Sequence, residues 1–421
     1  MKNRTAAPGA LLLAAALSLS GCGAQPPAEL RAAGVERIHA GGADYTGQIR
    51  QLSDAALVLG TRLVDAGGDG NVVGSPASLL VALAMLRTGA SGATADELDS
   101  VLGLPAQGRD EAMNALLSAL ATNDGDPGSV DDKEPPATPL LHLADGLFVD
   151  KSQPTGEGYL HTLAAQYGAG VFPVDFADAA ATKGQIDAWA SKNTGGRIKE
   201  APAEYRPEDT LSLLNSTFFA AAWQTPFSAN ATHDAEFTTA GGGKAMVPTM
   251  NGLLTVPFAE GPGWQAIDIP YGERFALRVV LPAVVSPPSL SPERAREVAA
   301  ALSEAGSTAV DLSLPTWDHA TTMDLEPMLK AMGLVLALGP EADFNAIQPG
   351  LVVTAAAQAA TITVAEKGTV AAAVTQINGM AVSGQIPVPA LRLAVDRSFS
   401  YQIVDTETGL PLFMGQVADP R

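Results

Sequence analysis

The sequence predicts an α+β fold in one domain, and three observations carry that expectation. Segments of strand character outnumber helical ones, strands and helices do not alternate strictly, and neither an internal repeat nor a clean linker separates them. Sheets must therefore be assembled from segments distant in the chain.

The elements follow in order from the N-terminus. Lys2 and Arg4 open a short basic region, and Leu11 to Leu19 form an apolar run too short to remain as a membrane-spanning helix. The run ends in Leu19-Ser20-Gly21-Cys22, which resembles the lipobox of bacterial lipoproteins. That resemblance implies a signal peptide over residues 1–21, cleavage before Cys22 and lipidation of its thiol, the only one in the chain. Acyl chains contribute about 0.8 kcal/mol per buried CH₂, so several together make a firm anchor. The expected location is the cell envelope, attached to a membrane and facing the periplasm or the extracellular space. With Cys22 lipidated, the mature chain has neither a disulfide nor a cysteine nucleophile. Residues 22–44, rich in Ala, Gly and Pro, read as a flexible tether, and residues 45–421 as the domain.

Within the domain, Ile49, Leu52, Ala56, Leu59 and Leu63 fall on one helical face, which Gly67 to Gly70 end. Ser75-Pro76-Ala77-Ser78 leads into an apolar helix through Leu79, Leu83 and Leu86, closed by Gly89. Thr94 followed by Glu97 reads as a capping box opening a short helix with Leu98, Val101 and Leu102. Residues 122–139 are acidic and rich in Gly and Pro, the composition of an exposed surface insertion. Asp124 and Asp126 inside it lack the ligand and glycine spacing of a calcium loop. A strand over His142 to Val149, a helix over Tyr159 to Tyr167, a strand over Val171 to Phe176 and a helix over Gln185 to Ser191 follow. The long apolar strand Thr210 to Trp223 comes next. The last third is mostly strand, with Ala266 to Pro270, Phe275 to Leu281 and Val310 to Pro315. One helix, Leu325 to Met332, interrupts it and is stopped by Gly333. The chain finishes with a hairpin, Phe399 to Val404 and Leu412 to Val417, turned at Thr406 to Gly409.

Charge and residue pattern exclude several functions. A net charge of −20 argues against nucleic acid and against electrostatic docking on anionic lipid. His39, His142, His161, His233 and His319 form no H-x-x-x-H pair, so neither a metal nor another cofactor is expected. A G-x-S-x-G elbow is absent and isolated histidines support no catalytic triad, so the chain does not read as an enzyme.

Motifs in order then point to a family. They begin with Asn71 to Leu104, including Ser75, Pro76 and Ser78, and continue with Leu214-Asn215 through Phe218, then Trp223, Pro226-Phe227, Thr232 and Phe237. Val247-Pro248, Met250, Ile269-Pro270-Tyr271, Leu281-Pro282, Leu312, Leu314-Pro315, Asp324-Leu325 and Ala342-Asp343-Phe344 come after them, and Phe413 to Val417 close the series. From about Tyr45 to the C-terminus this order resembles the serpin family of serine protease inhibitors. The resemblance implies a serpin fold of three β-sheets (A, B and C) with about eight or nine helices, an exposed reactive loop over about residues 367–391, and a monomer. It also implies a serine protease partner, held covalently after the cleaved loop has inserted into the large sheet.

The stretch Glu366-Lys367-Gly368-Thr369-Val370-Ala371-Ala372-Ala373 suits such insertion. Gly368 lacks a Cβ and so offers a hinge, while Thr369 and Ala371 to Ala373 are small and neutral, with alternate members facing the core once inserted. Charges there would be desolvated without partners. Ordering each residue costs roughly 1–2 kcal/mol and each new hydrogen bond returns only about 0.5–1.5 kcal/mol. Insertion must therefore also release strain and bury apolar groups such as Val370, Val374 and Ile377.

Counting the family's usual distance from Glu366 places the scissile bond at Val382-Ser383, with Met380 and Ala381 as alternatives. Counting back from Phe399 lands near Pro387, so the loop is about five residues longer than usual. No Lys or Arg occurs between Lys367 and Arg392, which favours an elastase- or subtilisin-like protease with a small apolar pocket. The resemblance also assigns Ser75, Ser78, Asn215 and Gln358 to the shutter of the large sheet and Trp223 to its breach. Gln358 stands where the family usually has His, Thr316 where a Lys often pairs with the hinge glutamate, and Asp187 where an Asn is expected. A non-inhibitory lipoprotein of the same fold, carrying a ligand or a surface interaction, is the alternative.

Overall fold

The computed structural model describes residues 24–285, 288, 290–369 and 391–421. In chain order the elements are α1 (Thr46–Ala66), β1 (Val72–Gly74), α2 (Pro76–Thr88), α3 (Gly92–Leu102), α4 (Arg109–Leu120), β2 (Leu140–Asp150), α5 (Glu157–Thr162), β3 (Phe172–Val174), α6 (Ala179–Asn193) and β4 (Leu211–Ala222). There follow β5 (His233–Thr238), β6 (Lys244–Gly261), β7 (Trp264–Tyr271), β8 (Phe275–Pro282), α7 (Pro292–Glu304), β9 (Ser307–Pro315), β10 (Trp317–Asp324) and α8 (Glu326–Met332). The chain closes with β11 (Val353–Ala365), β12 (Gly368–Thr369), β13 (Leu391–Ala394), β14 (Phe399–Asp405) and β15 (Pro411–Val417).

Six strands form one sheet in the order β10-β11-β12-β4-β2-β3. The other network is divided by the long strand β6. Its residues up to Pro257 pair with β5 and β9, with β13 beside β9, whereas Phe258 to Gly261 pair with β7 in the run β1-β15-β14-β8-β7. Three sheets result, as the family resemblance implies.

The main core lies where the six-stranded sheet meets α1, α2 and the β14–β15 hairpin. α2 is buried from Pro76 to Leu86, because a helix apolar all round can only be central. Ser75 caps it by accepting from Ser78 N, and Pro76 occupies the first turn, where its missing N–H is harmless. On the opposite face of the sheet, α6 packs Ile186 and Trp189 against Phe148 and Leu214. Gly333, at φ 112°, ends α8 in the left-handed region as expected.

The expected capping box at Thr94 and Glu97 gives way to tertiary contacts. α3 starts at Gly92, so Thr94 lies inside it and accepts from Asp343 N at 2.9 Å. The Glu97 carboxylate reaches across to the backbone N–H groups of Val335, Leu336 and Ala337 at 3.2, 3.0 and 2.7 Å. Residues 24–44, expected as a tether, make contacts with the body as well. Leu30 bridges Val171, and the Asn114 side chain of α4 donates to Ile38 O and accepts from Ala40 N.

Candidate functional site

The site lies between β4 and β11. Over half their length these strands pair in parallel, from Val353 with Leu211 to Ala359 with Ser216. Beyond that pair they part, and β12 fills the far end of the gap. Thr369 lies between Val364 and Ala221, and Gly368 between Ala365 and Ala222. A small cavity remains below β12, lined by Arg197, Phe218, Phe219, Thr361, Ile362, Thr363 and Thr369.

The turn at Glu366-Lys367 brings the chain back between its neighbours, and aromatic residues hold it there. Trp223 Nε1 donates to Ala365 O at 2.8 Å, Trp223 N to Lys367 O at 2.9 Å, and Phe227 N to Glu366 O at 2.9 Å. Trp223 stacks on Tyr271, ring centroids 4.3 Å apart, and the Tyr271 hydroxyl bonds the buried hydroxyl of Thr369. Burial pushes the Tyr271 phenol far up, so it remains protonated. Gly368 has a reason to be glycine, because a Cβ there would come 2.0 Å from Ala221 O.

A second cluster closes the paired half. Gln358 Oε1 accepts from Ser75 N at 2.8 Å, while Nε2 donates to Ser75 O at 2.9 Å and to Asn215 Oδ1 at 2.5 Å. Ser75 Oγ donates to Leu412 O and accepts from Thr217 Oγ1, at 2.8 and 2.7 Å. Ser78 Oγ donates to Asp145 Oδ1 at 2.9 Å, and Asp145 sits opposite Asn215 across β2 and β4. The residue as a whole keeps some exposure, but its carboxyl is enclosed. Burial pushes that carboxyl up to about 7, with the Ser78 hydrogen bond and His142 pulling the other way. Asn215 Nδ2 and Ser216 Oγ are buried without a partner among the described residues. Because an amide does not titrate, the Gln358 junction keeps its charge at every ordinary pH.

Ser75, Ser78, Asn215 and Gln358 are thus brought together, and Trp223, Glu366, Gly368 and Thr369 form a separate group at the mouth of the gap. Cys22, Val370, Ala371, Ala372, Ala373, Met380, Ala381, Val382 and Ser383 lie outside the described residues. The departures are accommodated locally. Thr316 N donates to Pro248 O at 3.0 Å, and Asp187 binds Lys183 at 2.6 Å and accepts from Ala201 N at 2.7 Å. Sequence reasoning assigned no role to Asp145, Thr217 or Tyr271. Thr217 and Tyr271 lay inside quoted family motifs, and Asp145 stood out as the lone acid among the inward positions Leu141, Leu143, Leu147 and Val149 of its strand.

A family model described as serpin (serine protease inhibitor) matches residues 50–420. A serpin-like protein of Thermococcus kodakarensis is 31% identical over 365 residues, covering 85% of this chain and 82% of its own length. The crystal structure of the thermophilic serpin tengpin in the native state superposes with TM-score 0.77 at 22% identity, covering 94% of this chain and 100% of that one. Human thyroxine-binding globulin complexed with thyroxine gives TM-score 0.73 at 24% identity, covering 90% and 99%. The two superpositions speak to the fold.

Proposed function

This chain belongs to the serpin family, whose members are mostly inhibitors of proteases, and from that premise we propose that it traps a serine protease by inserting the segment after Thr369 between β4 and β11. The observation that carries this reading is the parting of the two strands with Gly368 and Thr369 already between them. Continuing the same register would set Val370, Ala371, Ala372 and Ala373 opposite Ala220, Phe219, Phe218 and Thr217 in turn. None of these requires an existing strand pair to open. Val374 would be the first to do so, at Ala359–Ser216, and Thr375 would then separate Gln358 from Asn215.

The side chains suit that path. Thr369 faces the main core, so by alternation Ala371, Ala373 and Thr375 would face it too. All three are small. Val370, Ala372 and Val374 would lie on the other face, towards α6.

In the reaction, the protease serine attacks the Val382 carbonyl, the Val382–Ser383 bond breaks, and the amine leaves on Ser383. The acyl ester stays on Val382 and is carried along as the loop inserts. Met380 and Ala381 are the alternative acyl positions. A small or apolar primary pocket, elastase- or subtilisin-like, suits these residues. We further propose that Cys22 carries the lipid that attaches the protein to a membrane of the cell envelope. Replacing Cys22 with Ala should then release it into the soluble fraction.

The likeness to thyroxine-binding globulin supports a second reading, a ligand carrier of the same fold that takes no protease. Incubation with elastase and with subtilisin, followed by a denaturing gel, separates the two. The inhibitor gives an SDS-stable adduct and a nicked form of raised melting temperature. The carrier is nicked near Val382 with neither.

A further inference from the structure

Residues 122–139 do more than decorate the surface. Three basic side chains from separate parts of the chain each bind one acid of this segment. His142 of β2 bonds Asp124 at 2.8 Å, with its other ring nitrogen 3.1 Å from Asn193 Oδ1 of α6. Arg197, beyond α6, binds Asp132 and donates to Pro127 O at 3.3 Å. Lys367, in the hinge turn itself, binds Glu134 at 2.8 Å and Lys133 O at 3.3 Å.

Backbone and apolar contacts complete the fastening. Ala222, which ends β4, donates its N–H to Pro136 O at 2.9 Å. Val130 and Leu140 pack on Phe218 and Ala220. The Arg197 guanidinium lies 4.5 Å from the centre of the Phe218 ring, and both residues line the cavity below Thr369. The segment therefore covers the outer side of the open mouth and is tied to the hinge at the same time.

We propose that the acidic segment 122–139 is an electrostatic strap that ties the turn after β11 to the β2–β4 side of the gap and so resists its widening, with its ion pairs setting the rate of insertion. This rests on the inhibitory reading above and adds a control to it. A strap made of ion pairs is sensitive to salt. Lys367 and Glu134 keep 28% and 64% of their side-chain surface exposed, so their attraction is screened as ionic strength rises.

The test uses the full chain, nicked in the reactive loop by subtilisin. Two quantities are read, the final gain in melting temperature and the rate at which tryptophan fluorescence reports insertion. Raising NaCl from about 0.05 M to about 0.5 M shrinks the screening length roughly threefold. The wild-type rate should then rise about two- to tenfold, since each exposed pair contributes a factor of up to roughly five. Glu134→Gln should speed insertion at low salt, and D124N/D132N/E134Q together should be fast and nearly indifferent to salt. A final gain in melting temperature with rates unmoved by either salt or substitution overturns the strap and leaves the inhibitory reading standing. No gain in melting temperature in any form overturns both. The wild-type salt series needs no variant, so a misfolded triple variant would not rescue the proposal.

Discussion

The two halves of the β4–β11 seam solve opposite problems. The paired half is closed by a parallel ladder and by Gln358, whose amide satisfies Ser75 N, Ser75 O and Asn215 Oδ1 at once. Among the described residues, β4 and β11 share no such ladder in the parted half. It is kept apart by a two-residue strand and by Trp223, Tyr271 and Phe227, which hold the turn beyond β11 from outside. Backbone groups in a sheet must be paired wherever water is excluded. At the far end of the gap, Gly368 and Thr369 of β12 supply that pairing to both neighbours. The lesson is that closure here rests on polar satisfaction, and opening on small residues at the mouth.

Four substitutions press on that contrast, from the largest effect to the smallest. Thr369→Arg would place an unpaired cation between Ala221 and Val364 against Tyr271. Adduct yield on a denaturing gel should fall more than about tenfold while cleavage continues, because a buried uncompensated charge is strongly unfavourable. An unchanged yield would mean that trapping does not depend on what fills this mouth. Gln358→Ala leaves three buried polar groups without their partner. Chemical denaturation should show a loss of about 1–3 kcal/mol; a loss near zero would show that the seam is closed by the backbone alone.

Trp223→Phe removes the hydrogen bond to Ala365 O but keeps an aromatic ring beside Tyr271. The same measurement should give about 1 kcal/mol, smaller than for Gln358 if the mouth is the softer half. Asp145→Asn has the least effect at acid pH and shows itself as a slope. Burial pushes the Asp145 carboxyl up to about 7 in the fold from an ordinary 3.8, so between those values the native state holds a proton that the unfolded chain has released. Its stabilising contribution is complete below about pH 4 and is lost as pH rises through about 7. Melting temperature across that range should decline in the wild type and decline less in the variant; parallel profiles would remove Asp145 from the account.

Much of this was legible in residue order alone. The all-apolar stretch after Ser75-Pro76 became the central helix, and the long strand before Trp223 became the inner edge of the gap. Strands β1, β5, β6, β10 and β13 and helices α4 and α7 were among the elements not found. After the buried Trp317, β10 alternates half-buried and exposed positions among mostly polar residues, and α7 buries only Ala295, Val298 and Leu302. Their partners supply what their own composition lacks. Thr94 and Glu97 show the same limit in miniature. The local rule made them caps of their own helix, whereas Asp343 and the backbone at residues 335–337 claim their oxygens.

Local chemistry by itself determined the α+β class, the order of the motifs, the small neutral residues after Gly368 and the absence of bulk at that glycine. Such features depend on periodicity, side-chain volume and Cβ sterics, which neighbours in the chain already express. Only the tertiary structure decided that Gln358 would clasp Ser75 and Asn215, that Asp145 would be enclosed beneath α2, and that Lys367, Arg197 and His142 would share one acidic segment. Hydrogen bonds and charges act over a few ångströms in space, and separations such as the 283 residues between Ser75 and Gln358 close only when the sheets assemble.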